Sequence, residues 1–120
     1  MEAASILLKY LSSKHYIYDI NKAKREVSTD RIQLKKDDDL FIRDAITGYG
    51  TILKENLEQH YYITTVKVGV FGSIIVYAII MRDGVYADVA VYAHEGLIKQ
   101  RLAEKTIQKL KGILCYDASL

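Results

Sequence analysis

Residues 73–93 read SIIVYAIIMRDGVYADVAVYA, and this stretch decides the fold class. Residues 73–81 are almost continuously apolar, as in a central strand covered on both faces. Asp83-Gly84 is a strong hairpin signal, because a type I′ turn needs two positive φ angles. Residues 85–93 then alternate: Val85, Ala87, Val89, Val91 and Ala93 share one face, and Tyr86, Asp88, Ala90 and Tyr92 the other. A strand buried on two sides implies a sheet with helices above and below it.

Outward from this hairpin, residues 60–69 place Tyr62, Thr64, Val66 and Val68 on one face of a preceding strand. Downstream, 97–114 predicts a helix with Ile98, Leu102, Ala103, Leu110, Ile113 and Leu114 on its apolar face. Upstream, Asp37-Asp38-Asp39 supplies the acceptors that a helix start needs. The spacing predicts a helix over 37–59, with Phe41, Ile42, Ala45, Ile46, Tyr49, Ile52, Leu53 and Leu57 on its apolar side. That arc is wider than the ~100° stripe one sheet requires. Gly48 and Gly50 would cost this helix about 1 kcal/mol each relative to Ala. Residues 1–13 predict a short amphipathic helix, from Ile6, Leu7, Tyr10 and Leu11. Residues 15–34 suggest a hairpin, with a helix over 22–26 as the competing reading.

The expected architecture is α+β, one five-stranded antiparallel sheet sandwiched by helices in the order α-β-β-α-β-β-β-α. The 120 residues make one domain, 1–120. Half of them are apolar, which rules out disorder as the main state. With 17 Lys plus Arg against 15 Asp plus Glu, the net charge of +2 does not predict nucleic-acid binding. The longest uncharged run, 68–81, is too short to span a membrane, and no signal peptide is evident. A single cysteine, Cys115, forbids an internal disulfide. The chain is expected to be cytoplasmic.

Element order and local text resemble the roadblock/dynein light chain LC7 family. The hairpin of 72–92 is similar to that family's last hairpin. The run 95–102 (EGLIKQRL) is similar to the start of its final helix. The first hairpin departs from the family, which often has Asp-Gly where Asn21-Lys22-Ala23-Lys24 stands here. The resemblance implies first and last helices on one face of the sheet and the middle helix on the other. It implies a non-catalytic homodimer, joined by middle helices and adjoining third strands, that binds or regulates a small Ras-like GTPase or serves as a scaffold. On this chain the interface would comprise Phe41, Ala45, Gly48, Tyr49, Ile52, Tyr62 and Thr64. Ala45 and Gly48 are small enough for two helix backbones to approach closely.

Other chemistries find little support. His15, His60 and His94 show no metal-ligand spacing and read as strand-end surface histidines. Cys115 follows a helix C-terminus, where the dipole disfavours a thiolate. The glycines form no phosphate loop, so neither cofactor nor metal is expected. Asp88, Glu95 and Lys99 lack the spacing of a Mg²⁺-dependent nuclease. Ten tyrosines could stack bases, but core or dimer surface is the simpler reading. The alternative function is nucleic-acid binding by a basic helix face of Lys99, Arg101, Lys105, Lys109 and Lys111.

Overall fold

A computed structural model describes residues 2–69, 74–94 and 101–115. It is an α+β fold with one five-stranded antiparallel sheet. In chain order the elements are α1 (Glu2–Ser13), α2 (Ile20–Lys24), β1 (Val27–Gln33), α3 (Asp39–Thr47), β2 (Ile52–Asn56), β3 (Tyr61–Val68), β4 (Ile74–Asp83), β5 (Tyr86–Tyr92) and α4 (Leu102–Leu114). The strands lie side by side as β1-β5-β4-β3-β2. The chain therefore leaves the β1 edge, crosses one face as α3, and returns to the opposite edge as β2.

The β4–β5 hairpin forms, but its turn sits one residue later than the type I′ turn expected at Asp83-Gly84: Gly84 and Val85 are the loop residues, and of Asp83, Gly84 and Val85 only Gly84 has a positive φ. Asp83 pairs with Tyr86 across the turn, and Gly84 adopts φ +62°. Both faces of β4 are covered. Val76, Ala78 and Ile80 pack in a core beneath α3 and α4 with Ile42, Ile46, Ile107, Leu110 and Leu114. Ile79, with Tyr77 and Met81 beside it, packs on the other face against Leu7, Leu8 and Leu11 of α1. Each fully buried Val, Leu or Ile among them contributes about 1.5–3 kcal/mol by leaving water.

The expected helix over 37–59 is only half realised. It starts as predicted, with the Asp38 carboxylate accepting from the Leu40 amide at 2.9 Å. It stops at Thr47, and Gly48 caps it. Residues 52–56 are instead an edge strand. Ile52 and Leu53 suit a helical stripe, but they also suit alternation: Ile52 joins the core under α3, and Leu53 the core on the α1 side. Pairing decides between the two. Glu55 and Asn56 lie opposite Tyr62 and Tyr61 of β3, whose edge would otherwise be bare.

The region 15–34 corrects in the same way. The first expected strand is absent; Asp19 caps the five-residue helix α2, accepting from the Asn21 and Lys22 amides at 3.0 and 3.1 Å. One strand precedes the middle helix and four follow it, not two and three. The layers also differ from those the family resemblance implies. Here α3 and α4 share one face, while α1 and α2 cover the other. The α4 C-terminus seals the β1 edge: the Lys35 amide donates to the Leu114 carbonyl at 2.9 Å, and Lys111 reaches Asp30 at 2.7 Å.

Candidate functional site

Just past α3 the backbone is locked to β3. The Tyr49 amide donates to the Ile46 carbonyl at 3.0 Å, and the Tyr49 carbonyl accepts from the Lys67 amide at 3.1 Å. The Thr51 amide donates to Thr65 Oγ1 at 2.8 Å. At Gly50 a Cβ would lie 1.8 Å from the Thr65 carbonyl oxygen, so only glycine allows this approach. The turn 48–51 becomes a rigid wall.

Opposite this wall stands α4, whose Leu102, Lys105 and Lys109 fall at helical spacing on one side. Between them opens a cleft of ≈ 630 Å³, floored by Lys67, Val68 and Gly69 at the end of β3. Lys109 Nζ donates to the Lys67 carbonyl at 3.1 Å and lies 5.0 Å from the Tyr49 ring centroid. Lys105 is exposed and lines the same space, whereas Lys67 meets it through its backbone, because strand alternation puts its side chain on the opposite sheet face with Tyr61 and Ile63. Thr47 and Thr51 add hydroxyls, and among the described residues no carboxylate lines the cleft. The arrangement can hold an anion by charge and hydrogen bonding.

The seven expected interface residues do not form one outward surface. Gly48 and Tyr49 are exposed and line this cleft. Phe41, Ala45 and Ile52 are half-buried against the core beneath α3 and α4. Tyr62 and Thr64 are buried within the chain at 1% and 0% exposure. The basic face of α4 divides likewise. Lys105 and Lys109 reach the cleft, Lys111 is paired with Asp30, and Arg101 lies 4.0 Å from Glu104. Lys99 and Glu95 lie outside the described residues.

No family model and no curated protein matches the chain. Among solved structures, the chain is similar to a crystal structure of a TBP-like protein from Parabacteroides distasonis, at 12% identity and a TM-score of 0.36. The matched part covers 55% of this chain and 53% of that one, about half of each. Likeness at that level carries nothing about function.

Two features escaped sequence reasoning. Lys67 looks like the polar position of a strand, and only the fold sets its carbonyl against Lys109 of α4. His60 is not a bare surface histidine: its Nδ1 lies 2.8 Å from Asp39 Oδ2 and 3.2 Å from an Arg82 Nη. Arg82 Nε donates to Asp39 Oδ1, and the Tyr62 hydroxyl donates to the Asp39 carbonyl at 3.2 Å. Burial pushes the Asp39 carboxyl up, but Arg82 and His60 more than reverse this and hold it below its ordinary value. The cluster pins the start of α3 to the sheet. Asp88 is likewise engaged, accepting from Arg31 at 3.0 Å. Among the described residues no group of three or more His, Cys, Asp and Glu could hold a metal, and no helix is long and apolar enough to cross a membrane.

Proposed function

We propose that this chain is a non-catalytic binding module whose basic cleft takes an anionic, phosphate-bearing ligand. One observation supports this above all: Lys105 and Lys109, one turn apart on α4, line a single cleft with Thr47 and Thr51 and, among the described residues, no carboxylate. Two ammonium groups held on one helix side repel each other, and a bound polyanion relieves that repulsion. Lys109 already lies over Tyr49, so the cleft offers charge and hydrogen bonds in preference to a stacking platform for bases. Homodimerisation and a GTPase partner rest on the family resemblance alone, and binding at the cleft does not require them.

The test is calorimetric titration with tripolyphosphate and with a short single-stranded oligonucleotide, in low and moderate salt. Saturable binding that weakens with salt is expected. Lys105→Glu should weaken it about tenfold, equivalent to about 1.4 kcal/mol. Lys9→Glu, an equal charge change on α1, should leave it alone. Equal losses in both variants, or no saturable binding, would refute the proposal. A preference for the oligonucleotide would identify the ligand class as nucleic acid.

A further inference from the structure

The rings of the tyrosines divide into two groups. Four carry a cation of this chain: Lys14 lies 5.9 Å from the Tyr10 centroid, Lys54 5.9 Å from Tyr61, Arg31 5.1 Å from Tyr86, and Lys109 5.0 Å from Tyr49. Tyr62 is core, and Tyr116 lies outside the described residues. The remaining four, Tyr16, Tyr18, Tyr77 and Tyr92, have no cation over them among the described residues and line one groove of ≈ 450 Å³, where Tyr16 and Tyr18 are exposed, Tyr77 is stacked against Tyr16, and Tyr92 shows only an edge at 7% exposure.

The groove opens on the sheet face opposite α3 and α4, between the loop after α1, α2, and the ends of β4 and β5. Tyr16 stacks on Tyr77 with centroids 5.2 Å apart and planes 16° from parallel, and Tyr16 is still 47% exposed. Beside the rings lie two carboxylates, Asp19 and Glu26. Asp19 is fixed at the mouth by capping α2. The Glu26 side chain is 15% exposed, with His94 Nδ1 at 3.5 Å. Lys22 shares the mouth, but its long stem lets the ammonium stay in water. Ile75, 57% exposed, adds an apolar wall.

Ring faces attract cations through the aromatic quadrupole, and attract best those that bind water weakly. An apolar wall suits methyl groups, and a nearby carboxylate supplies the opposite charge. We propose that this groove binds a methylated ammonium group, from either a choline-like small molecule or a methylated lysine of a peptide. This site is separate from the basic cleft, which would repel such a ligand.

The experiment follows the tyrosine ring resonances of the full chain while tetramethylammonium chloride replaces sodium chloride at constant ionic strength. Saturable shifts at Tyr16 and Tyr77 are expected. tert-Butanol, the neutral isostere, should not produce them. Tyr16→Ala should weaken binding about fivefold, and Tyr16→Phe should stay within about twofold of wild type. Glu26→Gln should weaken binding about as much as Tyr16→Ala, with circular dichroism checking the fold of each variant. Tyr86→Ala, at a ring already occupied by Arg31, should change nothing. An unsaturable response, an equal response to tert-butanol, or full affinity in Tyr16→Ala would overturn the proposal. Choline and a trimethyllysine peptide then separate the sources: tighter binding of the peptide supports a protein tail, and equal binding supports the small molecule.

Discussion

Asp39 and Arg82, from the first turn of α3 and the far end of β4, are joined carboxylate to guanidinium at 2.6 Å. Both side chains are mostly buried, at 20% and 18% exposure. The contact spans 43 residues of sequence and, with His60, fixes where α3 begins on the sheet. His60 itself sits at φ +57°, an unusual conformation for a residue with a side chain, and its contact with Asp39 helps hold it there.

This contact should make stability depend on acid. The folded-state pKa of Asp39 lies below its ordinary 3.8, so the unfolded chain takes up a proton first as pH falls. The stabilisation is complete above the ordinary value and is lost as pH drops through the lower folded one. Asp39→Asn should cost about 1–3 kcal/mol at pH 7 and flatten the pH dependence in that window. Urea midpoints from pH 5 to pH 2 check both points; parallel curves for the two proteins would show that Asp39 is not responsible.

Two nearby glycines should respond in opposite ways. Gly50→Ala forces a Cβ to 1.8 Å from a backbone oxygen of β3, so β2 must shift. A loss above about 2 kcal/mol is expected, in the range of overpacked sites. At Gly48 a Cβ meets only the Ala45 carbonyl oxygen, at 3.9 Å, and φ is −73°. Gly48→Ala should be neutral or stabilising by up to about 1 kcal/mol. Thermal melts of the pair suffice, and similar losses in both would mean that the turn does not approach β3 this closely.

The β4–β5 turn offers a test of strain without crowding. No atom lies within 4 Å of a Cβ at Gly84, but φ is +62°. Gly84→Val should cost more than about 1 kcal/mol through backbone conformation alone. Gly84→Asn, which tolerates this region, should lose much less. An unchanged melting temperature in the valine variant would contradict the hairpin register.

The pair that fastens α4 to β1 should matter little by comparison. Lys111 and Asp30 are 37% and 34% exposed, so water screens their attraction. The Lys111 contact is the largest influence on the Asp30 carboxyl and holds it below its ordinary value, against a smaller upward push from burial. Asp30→Asn should cost less than about 1 kcal/mol, less than Asp39→Asn does. Denaturant titrations of the two variants under one condition rank them.

The β4–β5 hairpin, the helix start at Asp38 and the α+β class were legible in the sequence because each rests on local chemistry. A two-residue turn, a capping carboxylate and an unbroken apolar strand mean the same in any neighbourhood. Residues 52–56 were not legible. Ile52 and Leu53 satisfy both a helical stripe and a two-residue alternation, and the open edge of β3 selects the second. The clusters are further still from any local signal. Asp39 meets Arg82, Lys67 meets Lys109 and Tyr16 meets Tyr77 across dozens of residues that carry no periodicity relating them. Residue type is written along the chain, but a site needs several types at one point in space. Only the crossing of α3 from β1 to β2, and the insertion of β5 between β1 and β4, brings those points together.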